Sequence, residues 1–156
     1  MRLSAQIAFL YVCLSWVQPC GAQPYNVILG PLNGYFVSNK ITLNKGMNYM
    51  LFTKPKMFNR FFGVAKTISN NIHYPDFNKE WVMMLALPET RHETSIQFVQ
   101  AIRAGSVLHV YYKVKKSYPL TYTITPLQLA LVPKMNEIKT VMYYEGRKLM
   151  FTDKIK

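Results

Sequence analysis

Few side chains in this sequence are spaced for metal binding or covalent catalysis. The three histidines, His73, His92 and His109, are far apart and form no H-x-x-x-H or H-E-x-x-H pair that would bring two imidazoles to one metal ion. The chain also lacks a G-x-S-x-G nucleophile elbow and a G-x-x-x-x-G-K phosphate loop. We therefore predict that the protein is not an enzyme and uses no metal or cofactor.

Paired carboxylates are the remaining route to acid/base catalysis, and Asp76 and Glu80 are the closest pair of interest. Residues 75–78 are typical of a turn that leads into a strand at Trp81. An aspartate in such a turn usually accepts hydrogen bonds from nearby backbone amides. We expect this structural role for Asp76, whereas a pocket that joined Asp76, Glu80 or Glu89 to a histidine would favour catalysis.

The first 22 residues have the three parts of a secretory signal peptide. Arg2 precedes an apolar run over residues 8–14, and Cys20 and Ala22 are the small residues that a signal peptidase requires. We predict cleavage after Ala22 and an exported mature chain that is periplasmic, at the cell surface or secreted. No apolar run reaches the roughly 20 residues of a transmembrane helix, so we predict no membrane span.

Lipidation of Cys20 is the alternative fate of the N-terminus. It is disfavoured because Gln18 and Pro19 stand where a lipoprotein signal has small residues. Both cysteines of the chain lie at or before position 20, so the mature protein is predicted to contain neither a disulfide nor a thiolate nucleophile.

Residues 23–156 have the length of a single domain, and we predict that they form one β-rich unit. Of the 19 lysines and arginines, Arg2 alone lies in the predicted signal peptide, so 18 remain against 7 acidic residues, a formal charge of +11. This imbalance favours acidic partners. The alternative is a surface charge that serves solubility alone.

Hydrophobic alternation predicts a mainly β fold, either an antiparallel sandwich or a partly open barrel, with one short helix. Leu108, Val110, Tyr112 and Val114 share one face of a predicted strand over residues 107–115. Other predicted strands are residues 25–29, 49–52, 81–87, 95–102, 120–125, 127–131, 140–144 and 148–151. Residues 117–119 are predicted to connect two strands that pair with each other.

The helix is predicted between residues 55 and 66. Phe58, Phe61, Phe62 and Ala65 would form one apolar stripe, although Gly63 weakens the helix. We expect this stripe to pack on the β core rather than to bind a cofactor.

Two groups of residues are candidates for binding. The first is a loop predicted over residues 88–94, because connecting loops often carry functional contacts; its contact residues are Glu89, Thr90, Arg91, His92 and Thr94. The second combines cations with Tyr111, Tyr143 and Tyr144, because aromatic rings can stack on sugars or bases while cations contact anionic groups. Its polyanion-binding residues are Lys113, Lys115, Lys116, Arg147 and Lys148. Ordinary cross-strand pairs and edge-protecting lysines would give a similar pattern.

The order of these segments resembles the C-terminal domain of the bacterial protease-complex subunit family. The resemblance covers residues 76–144 and rests on residues 75–82, the loop at 88–94, the strand at 108–114 and residues 124–134. It implies an exported, often lipid-anchored β domain that binds or supports a secreted protease. The family's Thr-Gly-Gly-Tyr motif is not kept, since the corresponding residues are Glu93-Thr94-Ser95-Ile96.

Two functions are therefore expected. The first is binding of another exported protein, such as a secreted protease or a cell-surface assembly, through the 88–94 loop. The second is binding of an acidic glycan or another polyanion through the basic residues of the second group.

Overall fold

A computed structural model describes residues 23–65 and 72–155. The predicted signal peptide, including Cys20, lies outside the described residues. The elements of the described residues are, in chain order, β1 (Tyr25–Asn26), β2 (Gly30–Leu32), β3 (Tyr35–Val37), β4 (Asn48–Phe52), α1 (Pro55–Phe61), β5 (Phe62–Val64), β6 (Glu80–Ala86), β7 (Thr90–Ala104), β8 (Val107–Ile124), β9 (Leu127–Pro133), β10 (Thr140–Glu145) and β11 (Lys148–Lys154). None of the helical structure in these two ranges is long and apolar enough to cross a membrane.

The predicted mainly β sandwich with one short helix is confirmed. Sheet A contains the strands β1, β7, β8, β10 and β11 in that spatial order, and sheet B contains β2, β9, β6 and β4. Strands β3 and β5 form a separate two-stranded ribbon. The ladders of the described residues are antiparallel except that between β8 and β10, which is parallel.

One long hairpin supplies the centre of both sheets. Strands β6 and β9 pair in sheet B, the Leu87 amide donates to the Pro126 carbonyl at 2.9 Å, and β7 and β8 then continue the pairing in sheet A. The hairpin bends where Pro88 and Pro126 interrupt the two strands, because proline cannot donate to a ladder. The bend folds the two halves of the hairpin against each other.

Sheet B is the middle layer, and this position explains the uninterrupted apolar sequence of β6. Trp81, Met83 and Leu85 pack against sheet A, whereas Val82 and Met84 pack against the layer formed by α1 and β5. A strand that is covered on both faces needs apolar residues at successive positions rather than at alternate ones.

The helix is shorter than predicted, ending at Phe61, and Phe62 begins β5. Gly63 pairs with Phe36 across the β3–β5 ribbon, and a Cβ atom at this position would overlap the Phe36 ring. This close approach requires glycine. As expected for the aromatic stripe, Phe58 and Phe62 are buried in the core layer beside sheet B.

Two predicted connections are wrong. Residues 117–119 do not form a turn, because β8 is one strand from Val107 to Ile124, and both its halves pair with β7. Pro119 is accommodated opposite His92 between two register shifts, where a regular ladder is interrupted. The predicted 88–94 loop is also shorter, since β7 begins at Thr90.

Candidate functional site

The solvent-facing side of sheet A carries a group of stacked rings, which we call the aromatic platform: His109, Tyr111 and Tyr144. The Tyr111 and Tyr144 rings lie 5.0 Å apart with 20° between their planes, and His109 lies 5.7 Å from Tyr144 at 28°. His109 Nδ1 and the Tyr144 hydroxyl are 3.2 Å apart, within hydrogen-bond distance. The parallel register of β8 and β10 creates this group, because it aligns Tyr144 with Tyr111 and Met142 with His109.

Lysines extend the platform along β8. Lys113 and Lys115 are exposed and follow Tyr111 at intervals of two residues, so they share its face of the strand. Their partners on β7 are the uncharged residues Gln97 and Ser95. Neither lysine forms an ion pair with any of the described residues. We call Lys113 and Lys115 the lysine row.

The turn between β10 and β11 brings further positive charge to the same end of the sheet. Glu145 is aligned with Tyr112, the last residue of β8 that pairs with β10. The turn at Gly146 therefore lies beside Lys113, which pairs with β7 alone. Gly146 has a φ of 60°, which glycine adopts readily. Arg147 and Lys148 in and after this turn are exposed, and Lys148 is aligned with the acidic Glu145, so Arg147 is the cation of the turn without an acidic residue opposite it in the ladder.

Lys116 does not join the lysine row. It is exposed and aligned with Thr94, and successive residues of a strand point to opposite faces. Among the five cations predicted to bind a polyanion, the structure thus places Lys113 and Lys115 on the platform face and Arg147 at the adjacent turn, whereas Lys116 and Lys148 lie on the opposite face.

Tyr143 is not part of an exposed binding surface, in contrast to the sequence-based prediction. It is fully buried beside Tyr49 and Phe151, with ring centroids 5.0 and 6.3 Å away. The Tyr49 and Tyr112 hydroxyls are 2.6 Å apart, whereas that of Tyr143 has no hydrogen-bond partner in the described structure. Burial raises the pKa of Tyr143 and of Tyr112, so both remain neutral at physiological pH.

The five residues of the predicted contact loop are not gathered on one loop. Thr90, Arg91, His92 and Thr94 lie in β7, and the side chains of the two threonines bond locally. Thr90 Oγ1 accepts from the His92 amide at 3.2 Å, and Thr94 Oγ1 donates to the His92 carbonyl at 3.1 Å. The hydroxyl groups therefore support the backbone of a two-stranded ribbon.

Glu89 lies apart from these residues at the bend of the long hairpin. With Pro88, Thr125 and residues 37–39 and 41–43 it lines an open cleft of about 360 Å³. No histidine lines this cleft. The cleft therefore does not provide the carboxylate and histidine pair that would favour catalysis.

Asp76 has the predicted structural role. Its Oδ1 accepts from the Asn78 amide at 3.0 Å, and this backbone hydrogen bond is the main reason why the pKa of Asp76 is lowered. A contact that the sequence did not predict joins His73 Nε2 to Glu80 Oε1 at 2.8 Å, but the His73 side chain is 55% exposed, so this carboxylate and histidine pair lies on the surface of the turn and does not line the cleft beside Glu89. Glu80 also accepts from the Asp76 amide at 3.0 Å, so its carboxylate connects the turn to β6.

The arrangement of possible metal ligands and the comparisons with known proteins complete the description of the site. Within residues 23–65 and 72–155, no three His, Cys, Asp or Glu side chains are grouped so that they could hold a metal ion. Comparisons with protein-family models, curated proteins and solved structures found no match. The resemblance to the protease-complex subunit family therefore stays a prediction.

Proposed function

We propose that this protein is an exported, non-enzymatic binding protein that holds an acidic glycan on the outer face of sheet A. The observation that carries the proposal is the continuous arrangement of the aromatic platform and the lysine row on one open sheet face. Tyr144 is the middle ring of the stack, so Tyr111, the end ring that precedes Lys113, is the one that can offer an apolar face to a sugar ring, and the ammonium groups can contact sulfate or carboxylate groups beside it.

The distribution of charge supports an anionic ligand. Asp76 and Glu80 are engaged around the turn that precedes β6, and Glu137 lies 3.5 Å from Arg103. The residues opposite the lysine row on β7 are uncharged. Its ammonium groups are therefore available to an external anion, and the net charge of the chain adds long-range attraction.

Charge is tested by binding to heparin across a salt series. The double variant Lys113→Ala/Lys115→Ala should reduce the slope of log affinity against log salt by about 2, roughly one for each lost anion contact. The matched control Lys54→Ala/Lys56→Ala removes the same charge near α1, on the far side of sheet B, and should leave the slope unchanged. Equal slopes for the two double variants would contradict the proposed site.

Stacking is tested separately by Tyr111→Ala. Loss of this ring should weaken heparin binding by about tenfold, near the lower end of the roughly 1 to 3 kcal/mol that an aromatic side chain contributes when a nucleic-acid base stacks on it, without changing the salt dependence. Phe at position 111 keeps the stacking surface and should restore most of the affinity. If Tyr111→Ala bound as tightly as the wild type, the aromatic platform would have no part in recognition.

A further inference from the structure

The outermost strand of sheet A, β11, has an apolar centre and a free edge. One side of β11 pairs with β10, and no other strand of the described residues pairs with its opposite side. Leu149, Met150 and Phe151 are 47%, 40% and 40% exposed. Edge strands of stable proteins are usually short or interrupted by charged residues, because free backbone groups invite another strand.

The other edge of sheet A shows this protection. Strand β1 has two residues, Tyr25 and Asn26, which pair with β7 at Arg103 and Ile102. Strand β11 has seven residues, and its charged side chains lie toward the ends. The length and apolar centre of β11 thus distinguish it from the protected edge.

Packing of Phe151 against sheet B holds this edge strand in place. The Phe151 ring stacks on Tyr49 of sheet B at 5.0 Å with 11° between the planes. A register shift between Tyr143 and Tyr144 leaves Met150 without an opposite residue, while the ladder from Phe151 to Lys154 is regular. An added strand could therefore pair with the regular part and cover the apolar side chains beside it.

The charges around β11 select the kind of strand that fits. Lys148 and Lys154 lie at its two ends, Arg147 precedes it, and all three are exposed. The acidic residues nearby are Glu145, opposite Lys148, and Asp153, which is half-buried and aligned with the core residue Val141, so exposed cations outnumber exposed acids along this edge. An added segment with an apolar centre and acidic flanks would complement the cations. Two copies of β11 paired antiparallel about Phe151 would instead align Lys148 with Lys154, and each copy carries a large positive charge.

We infer that β11 is a strand-addition site for an extended segment of another exported protein, one with an apolar centre and acidic ends. Backbone hydrogen bonds would supply general affinity, and the exposed apolar side chains with the flanking cations would supply selectivity. This inference goes beyond glycan binding, and it assigns the predicted protein partner to a surface other than residues 88–94.

The test uses a fluorescent peptide, acetyl-EEVTVTVEE-amide, and a matched peptide with lysine in place of each glutamate. The acidic peptide should bind and slow hydrogen exchange at the amides of 152 and 154, which point to the free edge, because the amides of 151 and 153 face β10. The basic peptide should bind at least tenfold more weakly. Absence of protection in β11, or equal binding of the two peptides, would overturn the inference.

Substitutions locate the site. Met150→Lys should weaken the acidic peptide at least tenfold, although it adds positive charge, because it places a charge at the centre of the apolar edge. Ile28→Lys is the control, since Ile28 is an exposed apolar residue outside the strands of both sheets. Equal peptide binding by the two variants would also overturn the inference.

Sedimentation equilibrium without peptide tests the competing occupant. The wild type should remain monomeric, since like charges oppose pairing of two β11 strands. A dimer that Met150→Lys abolishes would show that the site belongs to a second copy and would refute the proposed partner. If Met150→Lys fails to fold, hydrogen exchange of the wild type with and without the acidic peptide still shows whether the peptide binds β11.

Discussion

Removal of the Tyr143 hydroxyl should stabilise this protein, an unusual outcome for truncation of a core side chain. Tyr143 is fully buried, and its hydroxyl lacks a hydrogen-bond partner in the described structure. A nearby hydroxyl differs in this respect, because Tyr112 lies 2.6 Å from the hydroxyl of Tyr49. Two tyrosines of one aromatic cluster therefore provide a controlled comparison.

The expected magnitude follows from the cost of dehydrating an unpaired hydroxyl, about 1 to 3 kcal/mol. Tyr143→Phe removes this cost, and the small void left by the oxygen offsets part of the gain. We expect the free energy of unfolding to rise by about 1 kcal/mol, which corresponds to a rise in Tm of roughly 3 to 5 °C for a chain of this size.

Tyr112→Phe should have the opposite effect. It leaves the Tyr49 hydroxyl without its partner and should lower the free energy of unfolding by about 1 kcal/mol. Urea denaturation of both variants measures these changes, and unchanged m-values would show that the denatured state is not responsible. If Tyr143→Phe were destabilised as much as Tyr112→Phe, the Tyr143 hydroxyl would have a native partner and the reasoning would be wrong.

Three further predictions concern pH and packing. Burial raises the pKa of Asp153. The contribution of Asp153 to stability is therefore greatest below about pH 4 and is lost as pH rises through its folded-state pKa. The variant Asp153→Asn should have a higher urea midpoint than the wild type near pH 7 but not near pH 3. The pKa of Asp76 is lowered, so Asp76→Asn should show the opposite sign, with a deficit near pH 7 that disappears as pH falls through the folded pKa. Met84→Ala should lower the free energy of unfolding by about 2 to 5 kcal/mol, because Met84 is buried in the middle layer, while Val99→Ala at an exposed bulge should change it by less than about 0.5 kcal/mol.

Local patterns predicted the strands best where a sheet has two distinct environments. Period-2 alternation correctly gave β8 from Val107 onward, because Leu108, Val110 and Tyr112 face the core while the intervening residues face solvent. The uninterrupted apolar run of β6 was also interpreted correctly as a strand. Its position between two layers explains why it does not alternate.

The same reasoning failed where β7 and β8 extend as a two-stranded ribbon. Residues 90–95 and 115–119 are polar or exposed on both faces, so no alternation separates them from a loop. Pro119 strengthened the impression of a turn, yet the pairing with β7 continues past it. Pairing between distant segments overrode local turn chemistry here.

Part of the candidate site could be predicted from the sequence, namely the part that depends on spacing within one strand. Tyr111, Lys113 and Lys115 were placed correctly on one face, since two-residue spacing within a strand is local information. Alternation also requires Tyr143 and Tyr144 to face opposite sides, but it does not say which one is buried. The parallel pairing of β10 with β8 decides this, and it joins segments more than 30 residues apart.

The lysine row stands where sheet A becomes narrower, and this position allows two explanations that differ in their consequences. Strand β10 pairs with β8 only as far as Tyr112, so Lys113 is the first residue of β8 whose outer edge is unpaired. Lysines at such a place would protect a free edge even without a ligand. Protection of the edge does not require the stacked Tyr111 and Tyr144, which lie on the fully paired part of the strand. Edge protection therefore predicts that Tyr111→Ala leaves heparin affinity unchanged while loss of the lysines promotes aggregation, whereas glycan binding predicts that both changes weaken the same complex.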